Sequence, residues 1–274
     1  MLNKVEYTID GAHGKPIVFD VTLPATESSG VVVFCHGFKG FKDWGHFNLV
    51  AEEFVSKGFT FIKLNFSHNG TSVESPMDFV DLEAFSNNNY SKELDDLGMV
   101  LDWVEKEVHN QVYLVGHSRG GGIAILKAAE DDRIRKLVTW AAVDDFESRF
   151  PQDLERFKRE GVVFIPNART NQNMPLNYQF VENYYANEAR LNIRQRITEI
   201  DIPYMIIHGT ADEAVSIDCA TSLHGSCEGS TIRCIEGAGH TFGATHPLEQ
   251  DQLPEAAQEV VNLSIDFFKG NRAI

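Results

Sequence analysis

The stretch that decides the fold is QVYLVGHSRGGGIAILKAAE, residues 111–130. A serine, Ser118, stands among glycines between an apolar strand-like run and a helix-like one. Two kinds of site use glycines at such a junction. A Walker-type phosphate cradle ends in Gly-Lys-Ser/Thr, and no lysine follows the glycines here. A dinucleotide fingerprint needs G-x-G-x-x-G early in a strand–helix–strand unit, a spacing that GHSRGGG lacks. The other kind is a sharp turn that exposes one nucleophilic side chain. In G-x-S-x-G the glycines two before and two after the serine, Gly116 and Gly120, leave room for the chain to reverse. Such a turn pushes the Ser118 hydroxyl off the sheet edge. It also aims the N-terminus of the next helix at a centre where negative charge develops. A glycine-rich helix start with an incidental serine is the plain alternative, and the pattern on either side weighs against it.

That pattern alternates. VEYTIDG and KPIVFDVTLP read as two opening strands around a Gly-containing turn, and VVVFC (31–35) as a strand buried on both faces. Phe47, Val50, Ala51 and Phe54 write a helix face, and GFTFIKLNF (58–66) the next strand. After a long polar loop, Leu94, Leu97, Leu101, Val104 and Val108 predict a second helix. VYLV is a strand, Ile123–Glu130 begins a helix, and KLVTWAAV (136–143) is a strand. The rhythm breaks over 144–200, where FPQDLERFKREG is amphipathic and GVVFIPNARTNQNMPLNYQF reads as a hairpin before Tyr-rich helical text. It resumes with PYMIIHG, a helix from Ser216 as N-cap, TIRCIEG and PEAAQEVVNLSIDFFKG. Strands alternating with helices predict an α/β fold, a mostly parallel central sheet with helices on both faces. Its core spans 1–143 and 201–274, with 144–200 inserted as a roof over one end of the sheet.

A serine needs a base within hydrogen-bond reach, and the base needs an orienting acid. Among ten histidines, His240 is distinctive. It lies in the glycine-rich loop EGAGHTFG after a late strand, whereas His36, His117 and His208 have plain explanations at strand ends or within the turn. With the chain order serine, acid, histidine, the acid is Asp212 in IIHGTADEAV, and Asp144 and Asp145 are its competitors. Two backbone N–H groups are needed to hold an oxyanion. The residue after the serine, Arg119, supplies one and Phe38 in HGFKGFKDW the other. The Arg119 side chain has a plain reading as surface charge. Phe150, Phe157, Phe164, Tyr178, Tyr184 and Tyr185 either line a pocket or form a small core of the insertion. Tyr178 and Tyr184 are the candidate aromatic contacts to substrate, and Asn167, Arg169 and Gln172 the candidate polar readers.

HGFKG (36–40), GHSRGG (116–121), HGTADEAV (208–215) and GAGHTFG (237–243) occur in this order and span nearly the whole chain. Together they resemble the α/β-hydrolase superfamily, and within it small dienelactone-hydrolase-like and feruloyl/cinnamoyl esterases. The resemblance implies an α/β-hydrolase fold with a roof insertion between the sixth and seventh core strands. It implies a triad of Ser118, Asp212 and His240, and an oxyanion hole of the Phe38 and Arg119 N–H groups. It implies no cofactor and no metal. One departure is NFSHNGTS (65–72), where relatives often carry Phe-Arg-Gly-x-Gly-x-Ser; Gly70 and Ser72 remain and the arginine is absent. A serine in place of cysteine argues against dienelactone hydrolase activity proper. The expected reaction is hydrolysis of a small ester through an acyl-enzyme. An amidase or peptidase of prolyl-oligopeptidase type is the rival enzyme, and an inactive hydrolase-fold binding protein the rival from another class.

Composition bounds the partners. With 274 residues, 43% hydrophobic, the chain can bury a large core without disulfide or metal staples. A net charge of −16 without a basic cluster argues against nucleic acid and anionic membrane surfaces. MLNKVEYTIDG lacks the apolar run of a secretory leader, and no apolar run approaches the ~20 residues of a membrane span. Cys35, Cys219, Cys227 and Cys234 show no metal-ligand spacing; Cys35 and Cys234 read as small buried hydrophobes in a reducing compartment, so the cytoplasm is expected. An exposed aromatic roof would permit a homodimer.

Overall fold

Continuous apolar runs form the buried centre of one sheet. The computed structural model describes residues 3–271. VVVFC becomes β3 (Val31–Cys35), flanked in parallel by β4 (Thr60–Asn65) and β5 (Val112–His117), and every residue of the three is buried. β1 (Asn3–Asp10) and β2 (Pro16–Leu23) join antiparallel beyond β4. On the other side β6 (Ile134–Trp140), β9 (Tyr204–Gly209) and β10 (Thr231–Ile235) continue the parallel ladder. The order is β1-β2-β4-β3-β5-β6-β9-β10. Although β3 is wholly apolar, its period of two still sorts the two faces. Val31, Val33 and Cys35 pack with α3 (Tyr90–Glu107), α4 (Arg119–Glu130) and α9 (Ile217–Ser226). Val32 and Phe34 pack with α1 (Phe47–Ser56) and α10 (Glu255–Lys269). Among the described residues no helix is long and apolar enough to cross a membrane.

Between β6 and β9 the chain leaves the sheet. This segment holds α5 (Leu154–Glu160), a hairpin of β7 (Val162–Asn167) and β8 (Gln172–Asn177), α6 (Gln179–Ala186), α7 (Glu188–Leu191) and α8 (Ile193–Arg196). It does not make a core of its own. Phe146, Phe150, Phe157, Phe180, Tyr184 and Ile193 belong to the same apolar cluster as α3 and α4, while Phe164 and Tyr185 are exposed.

Three local differences from the sequence reading have physical reasons. The polar loop after β4 contains a short helix, α2 (Leu82–Ser86), whose N-terminus is capped by Asp81 accepting from Ala84 N–H at 2.9 Å. Helix α4 begins at Arg119 rather than Ile123, because its three glycines are helical despite their low propensity. Cys234 is exposed, since β10 is the sheet's outer strand and is only partly covered.

Candidate active site

The β5–α4 turn holds Ser118 at φ +57°, ψ −121°, a conformation costly for a side chain larger than glycine. The turn is fixed from both sides. Ser118 N–H donates to the Trp140 carbonyl of β6 at 2.9 Å, and its own carbonyl accepts from Gly121 N–H at 3.0 Å. The glycines provide space for this. A Cβ at Gly116 would strike the Gly120 carbonyl, and one at Gly120 would strike the carbonyl oxygens of Cys35 and His36. Gly121 faces Ala142, where a Cβ would lie at 2.5 Å. Gly122 faces not the sheet but the inserted segment, and a methyl group there would lie 2.8 Å from both Ile193 and Phe146.

The loops after β9 and β10 meet this serine. His240 Nε2 lies 3.0 Å from Ser118 Oγ, and its Nδ1 lies 2.8 Å from Asp212 Oδ2. The Asp212 carboxylate is fully enclosed, and its Oδ1 accepts from Ala214 and Val215 N–H, each at 2.9 Å. His208 sits beneath it, Nε2 3.3 Å from Asp212 Oδ2 and 2.9 Å from the Val215 carbonyl. Burial alone would raise the Asp212 carboxyl; the hydrogen bonds from His208, His240 and Val215 N–H outweigh it and hold the group well below the usual carboxylate range. His117 donates from Nε2 to the His240 carbonyl at 2.9 Å, fixing the backbone of that loop. Burial pushes the His117 imidazole down to about 3, so it acts as a neutral donor. The competing acids are occupied elsewhere. Asp144 pairs with Arg194 at 3.1 Å, and Asp145 caps the turn at Glu147 and Ser148.

The loop after β3 runs against the β5–α4 turn, so close that a Cβ at Gly37 would lie 3.0 Å from Ser118 Cβ. It is held by His36, whose Nδ1–H donates to the Gly37 carbonyl at 2.8 Å, and by Gly40 N–H on the same carbonyl at 3.0 Å. Below it a buried network joins Lys42 and Lys63 to Asp20 and Asp43. Among the described residues neither Phe38 N–H nor Arg119 N–H donates to a protein acceptor. Both donors stand unused beside Ser118.

Two cavities open from Ser118 and His240. A smaller one of about 160 Å³ is walled by Tyr90, Val143, Phe146, Phe180 and Val215. A larger one of about 270 Å³ is walled by Lys39, Trp44, Asn167, Arg169 and Thr241. Asn167 and Arg169 thus face a cavity at the serine. Tyr178 and Tyr184 face neither. Tyr178, half-buried just before α6, packs edge-on to Phe157, and Tyr184 points from α6 into the shared core, buried between Tyr90 and Phe150. Gln172 is tied to the Phe79 carbonyl at 3.0 Å. The aromatic walls come instead from Tyr90, Phe146 and Phe180, which no local motif distinguishes. The Arg119 side chain is buried, not on the surface, with its guanidinium 4.6–5.0 Å from the ring centres of Phe38, Tyr90 and Phe180.

Comparison with known proteins agrees with this architecture. Est1E from Butyrivibrio proteoclasticus, solved with ferulic acid bound, superposes with a TM-score of 0.72 over 98% of this chain and 100% of that one at 19% identity. A dienelactone hydrolase from Anabaena variabilis gives a TM-score of 0.65 over 98% of both chains at 16% identity. At these identities the likeness is one of fold. A monoacylglycerol lipase of Mycolicibacterium smegmatis is 29% identical over 125 residues, covering 45% of this chain and 41% of the lipase. A putative esterase/lipase of Mycoplasma pneumoniae is 29% identical over 113 residues, 41% of this chain and 37% of that protein. The match therefore spans less than half of either relative. The profile of the alpha/beta hydrolase family matches residues 32–252, most of the chain and every loop of the site, and the protein belongs to that family.

Proposed function

We propose that the protein is a serine carboxylic-ester hydrolase acting through an acyl-enzyme, with Ser118 as nucleophile, His240 as base and Asp212 as orienting acid. The observation that carries the reading is the unbroken relay Asp212 Oδ2–His240 Nδ1 and His240 Nε2–Ser118 Oγ, at 2.8 and 3.0 Å, beside two unused N–H donors. Ser118 Oγ attacks the ester carbonyl as His240 Nε2 takes its proton. The Phe38 and Arg119 N–H groups receive the oxyanion, each such donor contributing ~3 kcal/mol to the barrier reduction. The C–O bond to the alcohol breaks as His240 returns the proton to the leaving oxygen. Water, deprotonated by His240, then attacks the acyl carbonyl, and the proton passes back to Ser118 as the acid leaves. Asp212 holds the imidazole tautomer and stabilises its charged form.

Residues 144–200 serve in this reading as a wall and roof. Phe146 and Phe180 close the smaller cavity, and Asn167 and Arg169 border the larger. We assign the acyl group to the smaller, mostly apolar cavity and the alcohol to the larger, more polar one. The aromatic walls make aryl and hydroxycinnamoyl esters the first substrates to try, and the ferulic acid bound to Est1E is itself a hydroxycinnamic acid. Turnover of short p-nitrophenyl esters with an initial burst, and labelling by a fluorophosphonate that maps to Ser118, tests the reading. A pure folded protein that neither labels nor turns over any ester would refute it. Amide turnover exceeding ester turnover would favour the peptidase class.

A further inference from the structure

The Arg119 side chain is the feature that the reaction above does not use. It lies against the smaller cavity, more than nine-tenths buried, in a chain whose net charge is −16. Its guanidinium is stacked among Phe38, Tyr90 and Phe180, three residues that also wall the cavity. A guanidinium carries five N–H donors, and buried donors are normally satisfied. Among the described residues none finds a protein acceptor. Nε and Nη2 are sealed in without a partner. Nη1 donates to nothing among the described residues either and is the nitrogen not so enclosed. The nearest carboxylate, Glu93, stands 3.4 Å from Nε without hydrogen-bond geometry, and its Oε1 is taken by Asn88 Nδ2 at 2.7 Å. Burial pushes the Glu93 carboxyl up, against the Arg119 charge and the Asn88 hydrogen bond, which both pull it down. A second arginine, Arg149, borders the same cavity and is anchored by Nη1 to the Ala214 carbonyl at 3.0 Å.

The rest of the wall is apolar, which fits a short carbon chain. The open guanidinium nitrogen fits an anionic oxygen, since a charge-assisted hydrogen bond in a water-poor pocket discriminates strongly against a group that cannot make it. We propose that the acyl half of the substrate ends in a carboxylate read by the Arg119 side chain, so that the natural ester is a monoester of a short dicarboxylic acid. The inference rests on the ester-hydrolase reading. In it Arg119 has two separate roles, the backbone N–H at the oxyanion and the side chain as the specificity determinant.

The test compares monoethyl glutarate with ethyl valerate, in which a methyl replaces the carboxylate, and with ethyl 5-oxohexanoate, which keeps a neutral acceptor. Proton release is followed by pH-stat. The expected kcat/KM for the carboxylate is about tenfold to a hundredfold above the alkyl ester, the range for a charged hydrogen bond to a buried partner. Arg119→Met abolishes that preference, and Arg119→Lys restores part of it. Equal or better turnover of ethyl valerate by the wild type overturns the proposal while leaving the hydrolase reading intact. So does a ketone used as well as the carboxylate, because charge is then not read. An Arg119→Met protein with lowered stability but an unchanged ratio makes the side chain a packing element and also overturns it. The wild-type comparison stands even if that variant does not fold. Failure of all three esters, with short p-nitrophenyl esters also inert, strikes the hydrolase reading instead.

Discussion

Replacing Asp212 by asparagine sets two requirements of one side chain against each other. Asp212 Oδ2 accepts at 2.8 Å from His240 Nδ1, while Oδ1 accepts from the N–H groups of Ala214 and Val215 at 2.9 Å each. An amide has only one acceptor oxygen. If that oxygen stays on the two backbone donors, the NH2 faces His240 and turns Nδ1 into an acceptor. The proton then sits on Nε2, 3.0 Å from Ser118 Oγ, where it cannot accept the serine proton. The loss expected from the wrong tautomer is about 10⁴ in kcat. If the amide flips, His240 keeps its tautomer but the Ala214 and Val215 N–H groups face an NH2, at a cost of ~1–3 kcal/mol for the Val215 donor, whose residue is buried. The loop needs both donors, and only Nδ1 can adapt by moving a proton, so the first arrangement wins. The variant should therefore keep its melting temperature within a few degrees while kcat on p-nitrophenyl butyrate falls by about three to four orders of magnitude. A variant within tenfold of wild type refutes the assignment of the acid. A crippling effect of Asp144→Asn or Asp145→Asn would give the role to the competing pair.

Ser118→Ala removes turnover and fluorophosphonate labelling together, and its melting temperature should not fall, because the residue sits at φ +57° with or without its hydroxyl. Gly120→Ala places a methyl against the carbonyl oxygens of Cys35 and His36, backbone atoms of a central strand and the loop after it; we expect a loss of ~1–3 kcal/mol or more, read as a denaturant midpoint shift. Asp96 in α3 accepts from Ser67 N–H at 2.7 Å, but burial pushes its carboxyl from the ordinary 3.8 up to about 7. A carboxyl raised in the folded state binds its proton more tightly there than when unfolded, so stability falls as pH rises from about 4 to 7. Asp96→Asn should remove that slope: the variant gains on wild type toward pH 8, and the difference narrows toward pH 4, read as melting temperatures across the range.

The parts of the molecule legible in the sequence are those whose cause is local. The turn at Ser118 is written by glycines two residues away on either side. The sheet is written by runs such as VVVFC, whose burial on both faces needs no knowledge of what covers it. His240 and Asp212 were legible because a loop's place after a strand is a sequence property, and in parallel sheets such loops converge on one edge. What was not legible depends on surfaces brought together from afar. Arg119 is buried because Phe38, Tyr90 and Phe180, from a loop and two helices, meet over it. Phe180 and Tyr184 share one face of α6, four residues apart, and only their position along the helix over Tyr90 decides that Phe180 reaches the cavity while Tyr184 packs beneath Phe150. His208 was nearer the surface of the text, four residues before Asp212, but its place under the carboxylate requires the loop to fold back over its own strand.

The contact at Gly122 bears on how a chain of this fold can be altered. The helix that follows Ser118 presents a bare backbone to Phe146 and Ile193 of the inserted segment, which is further fastened by Arg190 to Asp95 and Glu130 and by Asn183 to Ser91. The segment is consequently not an interchangeable cassette. Grafting the equivalent piece of another hydrolase onto this sheet would bring its own side chain to the bare spot, and any mismatch in bulk would be felt one turn from Ser118. Recombination for new specificity should therefore exchange the tip formed by β7 and β8, where the contacts to α4 end, and leave the two ends of the segment as they are.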